Sequence, residues 1–572
     1  MSQYNKFPKT KIKGYENSCI LGYNKIIEEL NKKLTDQSIL VVDTYPGVND
    51  DEVLPMLNRL NPHQIINMKD IFKSEKAITD QLQYHLTDDR VFGKMYYGDI
   101  TDFLDTDKLK VMKENIKNKN GFIIVYGFGA SLVTKGDILV YLDLARWEIQ
   151  LRYRQGMPNY KCSHFDEDIL RKYKRAFFIE WRVADKHKIS IFDDIDYFID
   201  TNIANQPKMV TGQALRDGLR QITHQPFRTV PYFDPGVWGG QWMKEVCGLD
   251  KSQDNIAWSF DGVPEENSLY LDFGNDYIEI PAMDLVLYQP KQLLGEHVYA
   301  RFGAEFPIRF DFLDTIDGQN LSLQVHPLTE YIKKQFGMSY TQDESYYILD
   351  AKEDAVVYLG LKENIHKEDM FNDLKKANQG EIIFDAEKYI NKFPAKKHDH
   401  FLIPAGTCHC SGKNAMVLEI SATPYIFTFK LWDWGRVGLD GKPRPVHLEH
   451  GEKVIQWDRT TKWVKENLVN AVYEIEKNEH YIEEHTGLHE LEFIETRRYW
   501  LEDEVTIKTN HTVNMLNLIE GSQVIVESPS AAFEPYVVHY GETFIIPASI
   551  DEYTIRKNVL NEKVGIIKAY VR

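Results

Sequence analysis

Short apolar runs bounded by polar turns, with amphipathic stretches between them, fill the first third of this chain. SILVVD at 38–43 and the segments 121–126, 138–142 and 176–179 each read as a buried strand, because apolar residues follow one another without alternation. Between them the apolar spacing is helical, as in 144–154, and a helix is expected to begin near Asp50-Asp51. Strand–helix alternation of this kind predicts a doubly wound parallel sheet. From about residue 225 the pattern changes. Short strands, frequent Gly and Pro and a Trp-rich segment replace the alternation, interrupted by helical stretches at 363–377 and 460–477. Residues 485–572 read as a further all-β unit: 504–508 alternates, 515–519 is apolar, and 541–548 runs as a strand into Pro547-Ala548. The expected organisation is an α/β domain at 1–205, a β domain with a helical insertion at 225–480 and a smaller all-β domain at 485–572.

Composition narrows the partners. At 572 residues the chain is too long for one core. A hydrophobic content of 43% fits globular domains, and no apolar run is long enough to span a membrane. The polar N-terminus carries no secretory signal, and the five cysteines form no recognisable framework. A reduced, cytoplasmic setting is therefore expected. A net charge of −18 argues against a nucleic-acid surface. It leaves room for a phosphorylated small molecule, which needs only a local group of donors. Nothing in the pattern sets an oligomeric state.

The candidate chemistry lies in four dispersed positions. Gln324 and His326 are two apart in LSLQVHP, so on a strand they share a face. Glu344 in QDESYYIL and His409 in FLIPAGTCHC arrive from later strands. A lone histidine carries little weight in a chain with 18 of them. A glutamine oxygen, a carboxylate and two imidazoles together make a donor set for a borderline divalent metal such as zinc, with room for a water or a substrate. Cys408 and Cys410 flank His409 on the same expected strand and point the other way, so they are not counted as ligands.

These contexts resemble the type I phosphomannose isomerases, from about residue 225 to the C-terminus. Gln324-Val325-His326-Pro327, Glu344 through Leu349, and Pro404 through Gly412 match the family's ligand segments. Val237-Trp238-Gly239-Gly240, 306–315, Asp433-Trp434-Gly435-Arg436 and Gly441-Lys442-Pro443-Arg444 extend the match. The resemblance implies an all-β double cupin (jelly roll), zinc held by Gln324, His326, Glu344 and His409, and interconversion of mannose 6-phosphate and fructose 6-phosphate through an enediol. It implies a metal-free second cupin here, because Ser549-Ile550-Asp551 follows Pro547-Ala548 and no counterpart of His409 does.

The chain also departs from the family. Gln342 stands where the family has a lysine two residues before the glutamate ligand, Asp311 stands for another lysine, and Lys430 stands for an arginine. Lys430 and Arg436 are the candidate catalytic residues, for substrate oxygens and proton transfer. The competing reading is a non-catalytic or regulatory zinc protein that binds a sugar or sugar phosphate.

The first strand and turn of the N-terminal part resemble a P-loop nucleoside kinase that has lost its loop. The pattern Gly-x-x-x-x-Gly-Lys-Ser/Thr is absent, and Asn49-Asp50 stands where Gly-Lys would hold phosphate. A kinase-like scaffold without phosphoryl transfer is expected, and a working sugar or nucleoside kinase ranks last.

Overall fold

The structure is a computed structural model that describes every residue except 1–2, 119, 423, 424, 426, 440, 442, 443 and 488. It divides into two compact units. One comprises Lys9–Ile222 with Ser268–Gln289; the other comprises Met1–Pro8, Thr223–Asn267 and Pro290–Arg572. The expected boundary between residues 205 and 225 is therefore crossed once more, by a later segment. That segment forms the hairpin Ser268–Asp272 and Tyr277–Pro281, whose first strand pairs in parallel with Lys9–Lys11.

The unit built from Lys9–Ile222 centres on a seven-stranded sheet among the described residues. Its order is Ile20–Leu21, Lys208–Thr211, Tyr197–Asp200, Ile138–Asp143, Ile39–Thr44, Ile123–Tyr126, Gln64–Asn67. The last five in that order are mutually parallel. In chain order they run 2-3-1-4-5 across the sheet, so the direction of winding reverses beside the central strand Ile39–Thr44. Open parallel sheets form their crevice at such a point, beyond the carboxyl ends of the strands. The helix expected near Asp50 is present as Asp50–Asn58, and Asn49 caps it by accepting from the Asp51 amide at 3.1 Å.

One expectation fails here. The run 176–179 is not a strand. Ala176–Glu180 is a π-helical turn joining the helices Ile169–Arg175 and Trp181–Ile191. All five of its residues are buried, and a short apolar run buried on every side looks the same in sequence whether it is strand or helix.

The other unit contains two antiparallel sandwiches. The first pairs a six-stranded sheet (His400–Ile403, Asp343–Ala351, Ala415–Ala422, Arg309–Asp314, Trp258–Gly262, Tyr232–Asp234) with a five-stranded one (Ile390–Pro394, Val356–Leu361, His409–Ser411, Leu323–Val325, Phe429–Trp432). The helical insertion appears as Lys367–Asn378 and Thr461–Asn467. The stretch 460–477 is helical only in its first half. Its end, Tyr473–Lys477, is an edge strand of the second sandwich. That sandwich faces a six-stranded sheet with a four-stranded one around a core that includes Leu516, Leu518, Val526, Phe544, Tyr553 and Ile566.

Candidate metal centre

The strand Leu323–Val325 pairs antiparallel with His409–Ser411 on one side and Phe429–Trp432 on the other. Gln324 stands directly opposite His409 in one pairing and Lys430 in the other. Directly opposed residues share a face, so all three side chains point the same way. His326 follows the strand. Its carbonyl accepts from the amide of Gly406 at 3.0 Å, tying it to the turn that delivers His409. Gly406 has φ +88°, and an added Cβ would stand 2.9 Å from the Val454 carbonyl oxygen, so the turn requires glycine. Buried Arg459 clamps the turn from outside, donating to the carbonyls of Pro404 at 2.8 Å and Ala405 at 2.7 Å. Glu344 arrives from the facing sheet, in Asp343–Ala351.

His326, Glu344 and His409 are completely buried, and their ligand atoms all lie within 4.8 Å of one another. His326 Nε2 is 3.1 Å from Glu344 Oε2, and His409 Nε2 is 2.7 Å from Glu344 Oε1. Each imidazole lies with Nδ1 2.9 Å from a backbone carbonyl, that of Phe427 for His326 and of Thr407 for His409. A proton on Nδ1 satisfies that carbonyl and leaves the Nε2 lone pair turned inward, as metal-binding histidines are held. His326 Nε2 and Glu344 Oε1 face their ion-pair partners, Glu344 and His409, without well-directed hydrogen bonds. Burial would raise the Glu344 carboxyl, but the two imidazoles hold it well below the usual carboxylate range. Burial likewise opposes charge on His326, while Glu344 raises it. The pocket thus draws positive charge inward and aims three donors at one point, which fits a divalent cation. The Gln324 amide lies 3.2 Å from His409 Nε2, and turning it over presents its oxygen to the same place. All four expected ligands converge.

The candidate catalytic residues have different surroundings. Lys430 donates no hydrogen bond from its side chain among the described residues. Burial lowers its amine to about 7, helped by the charge of Arg444 and opposed by Asp433. Arg436 is committed to Asp433, at 2.6 Å, and to the carbonyl of Asn320, at 2.7 Å. Arg444 reaches the other oxygen of Asp433 at 2.9 Å. Lys442 and Pro443 of the matching segment lie outside the described residues.

Gln342 does not stand free in the lysine's place. It donates to Glu344 at 2.9 Å and to Glu419 at 3.3 Å, and accepts from the Phe427 amide at 2.8 Å. Asp311 is opposite Glu419 in the sheet and 3.2 Å from the Arg309 guanidinium. Burial raises Asp311 to about 6, opposed by Arg309. Burial, Asp311 and Glu344 push Glu419 well above the usual range. Glu419 escaped the sequence reading. Its signal was a lone acid in the middle of the buried strand AMVLEISA. Cys408 and Cys410 are buried and unpaired, and burial raises the Cys408 thiol to about 12.

A second buried charge cluster lies at the carboxyl edge of the parallel sheet in the other unit. Asp43 accepts from Ser131 Oγ at 2.7 Å, from the amides of Gly129 and Ser131, and lies 2.9 Å from His187 Nε2. Lys188 sits between Asp143 at 2.5 Å and Asp284 at 2.7 Å. Burial pushes Asp143 well above its ordinary range, opposed by Lys188 and reinforced by Asp284. Tyr45 and Arg146 both donate to Asp185. Asp50, where a phosphate-binding lysine would follow glycine, is bonded to Tyr126 at 2.7 Å and paired with Lys69 at 2.6 Å.

Residues 22–224 match the family model of a domain of unknown function, DUF8485. A stretch of 336 residues, 58% of this chain and 96% of its relative, is 24% identical to "Probable mannose-6-phosphate isomerase GmuF" of Bacillus subtilis (strain 168). The mannose-6-phosphate isomerase of Streptococcus mutans is 27% identical over 221 residues, 38% of this chain and 64% of its own length. A crystal structure of the mannose 6-phosphate isomerase from Bacillus subtilis aligns with a TM-score of 0.49 at 18% identity, covering 60% of this chain and 99% of that one. The chain is a distant homologue of mannose-6-phosphate isomerases. Among the described residues no helix is long and apolar enough to cross a membrane.

Proposed function

We propose that this protein is a zinc-dependent aldose–ketose isomerase that interconverts mannose 6-phosphate and fructose 6-phosphate or a related pair. The observation that carries the reading is the convergence of His326, Glu344 and His409, with both Nδ1 atoms against carbonyls and Gln324 beside them. Distant homology to mannose-6-phosphate isomerases supports it.

Gln324, His326, Glu344 and His409 would hold the metal. Zinc there would supply Lewis-acid polarisation of the sugar's carbonyl and neighbouring hydroxyl without redox change. Isomerisation moves a proton from C2 to C1 and a second proton between the two oxygens. Lys430 Nζ, on the same face as Gln324, is suited to donate to the oxygen that gains charge as the C2 proton leaves. In its neutral form the same amine can take that proton and return it to C1. Arg436 and Arg444 anchor on one aspartate, Asp433, which leaves an excess of positive charge suited to a phosphate.

Asp311 and Glu419 favour a second reading. Asp311 stands where the resemblance places a lysine, and Glu419 opposite it adds a second acid, which suits a zinc protein that binds sugar without turnover. Metal analysis of the pure protein, followed by isomerisation of mannose 6-phosphate and exchange of its C2 proton with solvent, separates the two. The isomerase predicts one zinc per chain with both turnover and exchange. Bound zinc without exchange selects the second reading, and a metal-free protein defeats both.

For the unit matching DUF8485 the proposal is a kinase-like scaffold that transfers no phosphoryl group, since Asn49 caps a helix and Asp50 is paired where the loop would cradle phosphate. Magnesium-dependent ATP turnover in the intact protein, surviving loss of the metal ligands, would overturn it.

A further inference from the structure

The second sandwich contains a cavity of about 340 Å³, whose lining includes Tyr481, Arg497, Tyr499, Asn514, Lys568 and Tyr570. It opens between one sheet, through Tyr481–Gly487, Ile494–Leu501 and Val564–Val571, and the edge strand Glu504–Lys508 of the other. Lys568 is directly opposite Leu516, a core residue, so its side chain points between the sheets rather than out to solvent. It is 6% exposed.

What marks Lys568 is the absence of an acceptor, a feature shared with the half-buried Lys430 of the first sandwich. Other buried lysines of this chain are compensated: Lys188 by two aspartates, Lys172 by the carbonyls of Met157 and Phe165, and Lys244 by the carbonyl of Gln253. Among the described residues the Lys568 amine has no hydrogen-bond or ion-pair partner. It has only ring faces, 5.4 Å from the centroid of Tyr499 and 4.9 Å from that of Tyr570. Burial lowers the amine to about 8, opposed by Glu483 and helped by Arg497. A buried ammonium is normally paired, and the ring quadrupoles compensate it only in part. Arg497 adds a second cation, 2.8 Å from Glu495 and 3.8 Å from Glu483. Glu483 accepts from the Tyr499 hydroxyl at 3.0 Å and retains acceptor capacity toward the cavity.

We propose that this cavity binds a monosaccharide carrying one acidic group, with Lys568 as its counter-ion. The missing acceptor calls for an anion. The tyrosine rings offer apolar faces to the C–H face of a sugar ring, and Glu483 offers an acceptor to hydroxyls, while Asn514 is held by the Thr512 carbonyl and the Tyr553 hydroxyl. The cavity is at the small end of the range for small-molecule sites, which suits one ring rather than a nucleotide or an oligosaccharide. Its lining shares no residue with the His326 centre, so the inference does not depend on the isomerase reading.

Calorimetric titration of the full chain with D-glucuronate, D-glucose 6-phosphate and D-glucose tests it. Using the His326→Ala, His409→Ala double variant as the host removes binding at the metal centre. At least one acidic sugar should bind at least ten-fold more tightly than glucose, and comparing the two acids shows whether carboxylate or phosphate is preferred. Lys568→Met should weaken that binding at least ten-fold, and Tyr481→Ala at the rim several-fold. Equal affinity for glucose and both acids, unchanged affinity in Lys568→Met, or no binding of any probe at millimolar concentration would overturn the site. Should Lys568→Met not fold, acetylation of Lys568 in the wild-type chain, read by mass spectrometry, decides: at least five-fold protection by the bound sugar supports the proposal, and an unchanged rate refutes it.

Discussion

Each unit of this chain buries a carboxylate against imidazole. In one, Glu344 lies between His326 and His409; in the other, Asp43 lies against His187. Burial is nearly complete in both. The difference is in what surrounds the acid. Asp43 collects a hydroxyl and two amides besides the imidazole, and beside it Lys188 is enclosed by Asp143 and Asp284. Most of that cluster's polar atoms are paired, although Asp284 Oδ2 and the buried Tyr141 hydroxyl have no hydrogen bond. Around Glu344 two imidazole nitrogens from separate strands converge on the carboxylate at 3.1 and 2.7 Å, and neither a lysine nor an arginine pairs with it among the described residues. This contrast, an acid set among donors and a cation against an acid met by converging imidazoles, is the basis for proposing a ligand at the second cluster and a structural role for the first.

The most severe test removes the donors. The His326→Ala, His409→Ala variant should purify without metal and without isomerisation, because one carboxylate and one amide cannot retain zinc. Stoichiometric zinc by mass spectrometry in that variant would erase the distinction between the clusters.

Next in size is Lys188→Met, which leaves Asp143 and Asp284 buried with no cation. Removing one partner of a buried pair costs about 3–5 kcal/mol. Urea unfolding should register that loss while zinc content stays at the wild-type level. Wild-type stability together with altered zinc content would show that the Lys188 cluster serves the metal site.

Lys430→Met should lower turnover by about one to three orders of magnitude, the size expected for a cation that stabilises transition-state charge, with zinc retained. A change confined to apparent affinity would move Lys430 to the phosphate. Wild-type kinetics would return it to the structural background and shift attention to Arg436.

The smallest effect concerns pH. Burial opposes charge on His187 and Asp43 favours it, with a net rise above the usual histidine value. A raised histidine contributes stability that is complete below its unfolded pKa near 6.5 and fades as pH climbs through the folded value. His187→Gln should flatten the fall in unfolding free energy above pH 6.5. Parallel wild-type and variant curves would mean the pair contributes no linkage.

Much of the candidate metal centre's geometry was legible in the residues because strand geometry is local. A two-residue spacing puts Gln324 and His326 on one face, and the Pro-Ala-Gly turn predicts where a strand carrying His409 begins. The strand–helix alternation before residue 205 likewise reads as a parallel sheet, which is present. Where the pattern was locally degenerate it misled. The run 176–179 is buried all round and so carried no period, and 460–477 joined a helix to an edge strand of a different sandwich.

By itself the sequence determined the donor types, their strand contexts, the absence of a Gly-x-x-x-x-Gly-Lys-Ser/Thr pattern and the change from alternating to β-rich organisation. These are set by residue identity and near-neighbour spacing. The tertiary structure alone decided that the hairpin beginning at Ser268 completes the unit of the parallel sheet and that Gln342 bridges Glu344 to Glu419. It also decided that Arg436 is bound to Asp433, while Lys568 is buried without an acceptor. Whether a polar group is satisfied depends on atoms brought near it from distant parts of the chain, and no pattern along the chain records that.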